Sequence, residues 1–138
     1  MNRFARKRVF HAKAGAKGGK RADLGGQYFR SRWEANYARV LNELKRRGEI
    51  VDWKYEDREF QFPVKRGTRF YKVDFHVYEE GGREYFVEIK GFLAAKDVTA
   101  LVRMRKYYPE VTVLLLDRKR YAELESEFGY LLEGWEKA

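Results

Sequence analysis

Asp74, Glu88 and Lys90 are the residues whose types and spacing best suit chemistry. Two carboxylates facing each other on neighbouring strands repel, by up to roughly 1 kcal/mol in a sheet pair, and a divalent cation between them removes the repulsion. Lys90, two residues beyond Glu88, shares its strand face and adds a positive charge there. The stretch that must position these groups reads as two strands, 70–78 and 84–90, joined by a turn around Gly81-Gly82. Both alternate with period two: Tyr71, Val73, Phe75 and Val77 form an apolar face continued by Tyr85, Val87 and Ile89. Asp74, Glu88 and Lys90 fall on the opposite face, which reads as the solvated one.

Register decides whether the carboxylates meet. A one-residue slip would turn one apolar face over, so the numbers of paired residues must sum to an even value. A loop of about five residues around Gly81 pairs Tyr78 with Glu84, a common loop length. That register sets Asp74 opposite Glu88 and Val73 opposite Ile89.

Composition bounds the remaining readings. The chain has 138 residues, enough for one domain with a core. The absence of cysteine excludes disulfides, thiolate zinc sites and cysteine nucleophiles. Two histidines, His11 and His76, leave no basis for a multi-histidine metal site within one chain. No apolar run approaches the roughly 18 residues of a membrane span. No apolar signal core follows the basic N-terminus, so a cytoplasmic protein is expected (host cytoplasm if phage-encoded).

Net charge is +9, and its distribution is uneven. Residues 1–22 carry eight basic side chains (Arg3, Arg6, Lys7, Arg8, Lys13, Lys17, Lys20, Arg21) and no acid. Residues 1–26 lack hydrophobic periodicity and read as a basic flexible arm ahead of a single domain over 27–138. One-signed charge of this kind points to a polyanion, most often nucleic acid; a solubilising tail is the plainer alternative.

The domain reads in order as helix, three-stranded meander, helix, strand, helix. The first helix spans 31–47, with Trp33, Tyr37, Val40, Leu41 and Leu44 at helical spacing and Gly48 as its stop. Ser31 and Glu34 fit a capping box; Glu34 equally suits a position facing the hairpin carboxylates. Strands follow at 50–56, with Val51, Trp53 and Tyr55 on one face, and at 59–62, with Phe60 and Phe62 inward. The loop 63–69 is basic, and its Lys65 and Arg66 suit a phosphate grip as well as a solvated turn. A helix over 94–107 is expected to bury Val98, Leu101, Val102 and Met104, with Lys96 near the carboxylates. The apolar run 111–116 reads as a strand covered on both faces, and strand–helix–strand suggests a parallel crossover. A last helix runs over 118–128, and the apolar residues of 130–135 complete the core or meet a second copy. The expected fold class is therefore α/β, one domain with a central mixed sheet, an antiparallel meander plus one parallel strand, flanked by helices.

In Asp74 followed by Glu88-Ile89-Lys90 on the adjacent strand, the chain resembles the PD-(D/E)XK nuclease superfamily over roughly residues 27–117. Val73 stands where the signature has its nominal proline. Within the superfamily it looks most like phage and archaeal-type Holliday junction resolvases, which carry a glutamate on the first helix, matched by Glu34. The resemblance implies a restriction-endonuclease-like fold. It implies Mg²⁺, with Mn²⁺ substituting, held by Asp74, Glu88 and the Ile89 backbone carbonyl, with Glu34 serving a second ion or its water. Lys90 would hold or activate the attacking water, and the products would carry 5′-phosphate and 3′-hydroxyl ends. A homodimer nicking two opposed strands of a four-way DNA junction, in recombination and repair, is the implied activity. Nicking, restriction-like or transposon-end endonucleases share the core, and a non-catalytic DNA-binding module is the remaining alternative. The arm residues, Lys65, Arg66 and Lys96 are the expected DNA contacts. His76, two residues from Asp74 on the same face, reads as a spectator or substrate contact.

Overall fold

The computed structural model describes residues 16–137 of the chain. In chain order the elements are β1 (Ala16–Arg21), β2 (Gln27–Ser31), α1 (Arg32–Arg47), β3 (Asp52–Tyr55), β4 (Glu59–Gln61) and β5 (Phe70–Lys72), then β6 (Phe75–Tyr78), β7 (Glu84–Ile89), α2 (Ala95–Tyr107), β8 (Val113–Leu116) and α3 (Arg118–Phe128). The fold is α/β with a mixed central sheet in the order β3-β6-β7-β8. The first three strands are antiparallel, and β8 joins parallel to β7 after the α2 crossover. β1–β2 and β4–β5 form separate two-stranded sheets.

The central register is the one the turn dictates: Tyr78 pairs Glu84, Val77 pairs Tyr85 and Phe75 pairs Val87. The turn closes with Glu79 N–H donating to Arg83 O at 2.8 Å, and Gly81 and Gly82 take φ of 80° and 79°, which favour glycine. The expected continuous strand 70–78 is instead broken at Val73-Asp74. β5 pairs with β4, and only β6 enters the central sheet.

The break changes what each face meets. Phe75, Val77, Val87 and Ile89 pack with α1 residues such as Ala38, Val40 and Leu41 and with Tyr121 and Phe128 of α3. Tyr71 and Val73 belong to a second cluster with Phe60, Phe62, Phe86, Ala100 and Met104. The face expected to be solvated is therefore covered by the β4–β5 ribbon and α2, and Asp74, His76 and Glu88 are all buried.

α1 begins as expected. Ser31 is its N-cap, accepting from Glu34 N at 3.1 Å, and Gly48 closes it at φ 81°. Other expectations need correction. Of the predicted buried side of α2, Met104 is buried while Val98 and Val102 are exposed, because the helix rests on Ala100 and Met104. β8 lies at the sheet edge, so Leu114 is 48% exposed and only Leu116 of the run is buried. Val51 is exposed one residue ahead of β3. Leu132 and Trp135 pack on the first core, whereas Tyr130 and Leu131 face outward.

Of the expected arm over 1–26, residues 1–15 lie outside the described residues and residues 16–21 form β1. Residues 16–21 pair with β2, and the hairpin is clasped to the C-terminal segment through buried arginines. Arg21 donates to Glu136 Oε2 at 2.8 Å and Oε1 at 2.9 Å. Arg39 of α1 reaches Glu136 at 3.0 Å and both Asp23 oxygens at 2.7 and 2.9 Å. Arg21, expected as a DNA contact, is thus buried in an ion pair with Glu136. Its chain neighbourhood carries too few apolar residues to signal order, and the ordering comes from charge pairing across 115 positions. Removing Glu136 would leave two buried guanidiniums short of partners, a loss of charge-assisted bonds. Glu136→Ala should lower stability by on the order of 2 kcal/mol in urea unfolding, with Glu136→Gln losing less.

Candidate acidic site and adjoining cleft

Asp74 occupies the break between β5 and β6, where the chain leaves the outer ribbon for the central sheet. Extending the β6–β7 register by one position places it across from Glu88. Its Oδ2 accepts the Ile89 N–H at 2.8 Å, which fixes the carboxylate against β7. Asp74 is 2% and Glu88 6% exposed. Lys90 follows β7 immediately, with Nζ 3.9 Å from Glu88 Oε2 and 3.5 Å from Asp97 Oδ1 in the first turn of α2.

Of its two readings, Glu34 takes the one that faces the hairpin carboxylates. Its backbone N–H satisfies the Ser31 cap, but its carboxylate does not close the box. Oε1 accepts from Arg30 N at 3.0 Å and from the Tyr55 hydroxyl at 2.6 Å. Oε2 lies 3.7 Å from Arg30 Nη2. That nitrogen also lies 3.0 Å from Asp74 Oδ1 and 2.8 Å from Glu56 Oε2. One guanidinium is thus shared by Glu34, Glu56 and Asp74.

Arg30 and Glu56 had no place in the sequence reading. Arg30 lies in β2, beyond the expected site and next to what read as an arm. Along β2, Phe29 and Ser31 are buried and Arg30 is exposed, but Gln27-Tyr28-Phe29-Arg30-Ser31 has no polar–apolar alternation that marks it. Glu56 takes φ 51°, a left-handed conformation uncommon outside glycine, and its N–H donates to Asp74 O at 2.8 Å.

Electrostatics mark the carboxylates as the strained part of the fold. Burial, then Glu88 and Glu34, push Asp74 well above the usual carboxylate range; Arg30 and the Ile89 N–H oppose this. Burial pushes Glu88 up to about 7 against the pull of Lys90. The two titrate as a pair. Burial would lower the Arg30 pKa, but Glu34, Asp74 and Glu56 raise it, so it stays charged. Among the described residues, Glu88 Oε1 and the Tyr71 hydroxyl are buried with no hydrogen-bond partner. Tyr71 lies near enough to favour the Glu88 anion but outside hydrogen-bonding geometry.

A cleft of about 320 Å³ opens beside this group, lined by Arg30, Phe70, Lys72, Glu88, Lys90 and Lys96 among others. The donor set suits a hard divalent ion: among the described residues Glu88 Oε1 is a buried oxygen without a hydrogen-bond partner, and two carboxylates crowd one face. Among the described residues, no three His, Cys, Asp or Glu side chains form a ready-made ligand group. Two carboxylates match an ion such as Mg²⁺, which keeps several waters rather than taking a full protein cage.

The other expected residues separate from this centre. Lys17, Lys20, Lys65 and Arg66 are exposed, and the 63–69 loop is held to α2 by Arg103 donating to Thr68 O at 2.6 Å. Arg3, Arg6, Lys7, Arg8 and Lys13 lie outside the described residues. His76 is packed between the Tyr78 and Phe86 rings, each 4.2 Å away, and its nitrogens face Asp57 and Glu84 rather than Asp74.

Fold and site together define an α/β domain with a buried acidic pair, a lysine and an arginine at the edge of a basic cleft. The chain belongs to the DUF1064 family of proteins of unknown function, which its residues 14–123 match. That span holds Arg30, Glu34, Asp74, Glu88 and Lys90 but not Glu136. Comparison with curated proteins gives no match. Among the described residues, no helix is long and apolar enough to cross a membrane.

The raised carboxylates make a sign-defined prediction. A folded-state pKa near 7 against an ordinary value near 4.5 means the folded protein holds the extra proton between those pH values. Stability is therefore present at low pH and lost as pH rises through about 7. Relative to Glu88→Gln, the metal-free wild type should lose on the order of 2 kcal/mol between pH 5 and 8, measured by urea unfolding in EDTA.

Proposed function

We propose that the protein is an Mg²⁺-dependent DNA endonuclease, acting in the cytoplasm as a homodimer on branched DNA, with four-way junctions the favoured substrate. The observation that carries the reading is the Asp74–Glu88 pair, buried and short of positive charge, with Lys90 beside it at the mouth of a basic cleft. Asp74, Glu88 and the Ile89 carbonyl would hold the ion. Bound there, Mg²⁺ supplies Lewis acidity to the phosphate and neutralises developing charge.

The remaining work falls to the chain's own groups. Lys90, with its side chain 29% exposed, faces the cleft, where its ammonium can hold the attacking water and offset anionic charge. Asp97, 3.5 Å away, restrains that ammonium. Arg30 lines the same cleft and offers its guanidinium to a phosphate oxygen while holding Asp74. Glu34, fixed by Tyr55 and the Arg30 N–H, holds Arg30 in place and stands by for a second ion or its water. Lys17, Lys20, Lys65, Arg66 and Lys96 are exposed cations placed to meet backbone phosphates.

Cleavage of labelled four-way junction and matching linear duplex, with Mg²⁺ or EDTA, tests the reading. The wild type should cut the junction in Mg²⁺ alone. Asp74→Asn and Glu88→Gln should each lower the rate at least 100-fold, on the order of the loss of one electrostatic stabiliser, while binding survives. Equal cutting of duplex would move the assignment to a nicking, restriction-like or transposon-end enzyme. Absence of cutting with intact binding would leave a DNA-binding module. Deleting residues 2–13 removes Arg3, Arg6, Lys7, Arg8 and Lys13. If all five meet phosphates, the slope of log affinity against log salt should become shallower by roughly four.

A further inference from the structure

The cleft beside Glu88 holds an aromatic residue that the chemistry above does not use. Phe70, in β5, is 49% exposed and lines the cleft together with Arg30, Lys72, Lys90 and Lys96. Its neighbour Tyr71 turns inward to the second core, so Phe70 and Lys72 share the outer face of the strand. Arg69 lies over the Phe70 ring, 5.7 Å from its centroid.

We propose that this cleft takes one unpaired DNA nucleotide beside the reacting phosphate, its base stacked on Phe70 and its flanking phosphates met by Lys72 and Lys96. At about 320 Å³ the cleft lies at the small end of ligand sites, a size that suits one nucleotide. Chemistry supports a nucleic acid. An aromatic platform bordered by cations is the arrangement by which single-stranded nucleotides are held, the ring taking any base face and the cations taking the backbone. Position supports the neighbour of the reacting phosphate, since the same cleft is lined by Glu88 and Lys90. Selection for branched DNA then follows from the fold. A junction or bulge offers an unstacked base without the penalty of opening a duplex. The inference rests on the nuclease reading for the phosphate's role and on the cleft alone for the base.

The test separates the two. DNA bearing 2-aminopurine at an unpaired position next to a branch, and the same label within a perfect duplex, are titrated with full-length protein in EDTA. Phe70→Leu keeps bulk but removes the ring, and Phe70→Trp restores a stacking face. Wild type and Phe70→Trp should quench the unpaired label and bind branched DNA about tenfold more tightly than duplex. Phe70→Leu should lose the quenching and most of that preference, while its duplex affinity stays within twofold. Equal affinity of the wild type for both DNAs, or full quenching by Phe70→Leu, would overturn the proposal. Because no metal is present, quenching that depends on Phe70 in a protein that never cuts DNA would uphold the cleft and refute the nuclease reading. Mg²⁺-dependent cutting with a silent Phe70→Leu would do the reverse.

Discussion

The structure is arranged around carboxylates that burial makes unfavourable. Glu34, Asp74 and Glu88 are each under 10% exposed and come from α1, the break between β5 and β6, and β7. Charge removed from water is tolerated only with a partner, and here the partners are unequal. Glu34 has a hydroxyl, a backbone N–H and a share of Arg30. Asp74 has the Ile89 N–H and another share of the same guanidinium. Glu88 has Lys90 at 3.9 Å, and among the described residues one of its oxygens has no hydrogen-bond partner. The deficit falls beside the cleft, where an added cation would satisfy it.

The rest of the fold maintains that imbalance. One core, between α1, α3 and the central sheet, anchors β6 and β7 and so sets the spacing of Asp74 and Glu88. A second core, made by the β4–β5 ribbon and α2, covers the other face of the sheet and takes water away from both carboxylates. The break at Val73-Asp74 is where the two cores meet, since Val73 belongs to the second and Phe75 to the first. The clasp of Arg21, Arg39, Asp23 and Glu136 holds β1 against α1, and β1 in turn pairs with the strand that carries Arg30.

Local signals made the pairing of Asp74 with Glu88 legible. Period-two alternation and a glycine turn fix register without tertiary information, and helix α1 announced itself through Ser31, its apolar spacing and Gly48. What escaped was set by distant packing. The Asp74 face read as solvated because nothing near it in sequence says that Phe60, Phe62 and Met104 will cover it. The run 111–116 read as fully covered because its apolar content is high, yet an edge strand leaves Leu114 exposed. Val98 and Val102 fit a helical stripe, but the smaller Ala100 lets α2 approach on another side. Arg30 was missed because it sits 44 positions from Asp74, in a strand whose pairing partner is a glycine-rich basic segment without hydrophobic pattern.

A divalent cation held by the Asp74–Glu88 pair is what the proposed function requires. Binding of Mn²⁺ to the full-length protein, followed by electron paramagnetic resonance with Mg²⁺ as competitor, tests it without reference to any substrate. The account predicts a bound ion in the wild type that Mg²⁺ displaces, with affinity reduced at least tenfold in Asp74→Asn and in Glu88→Gln. Mn²⁺ held equally well by those variants, or not held by the wild type at all, would contradict it.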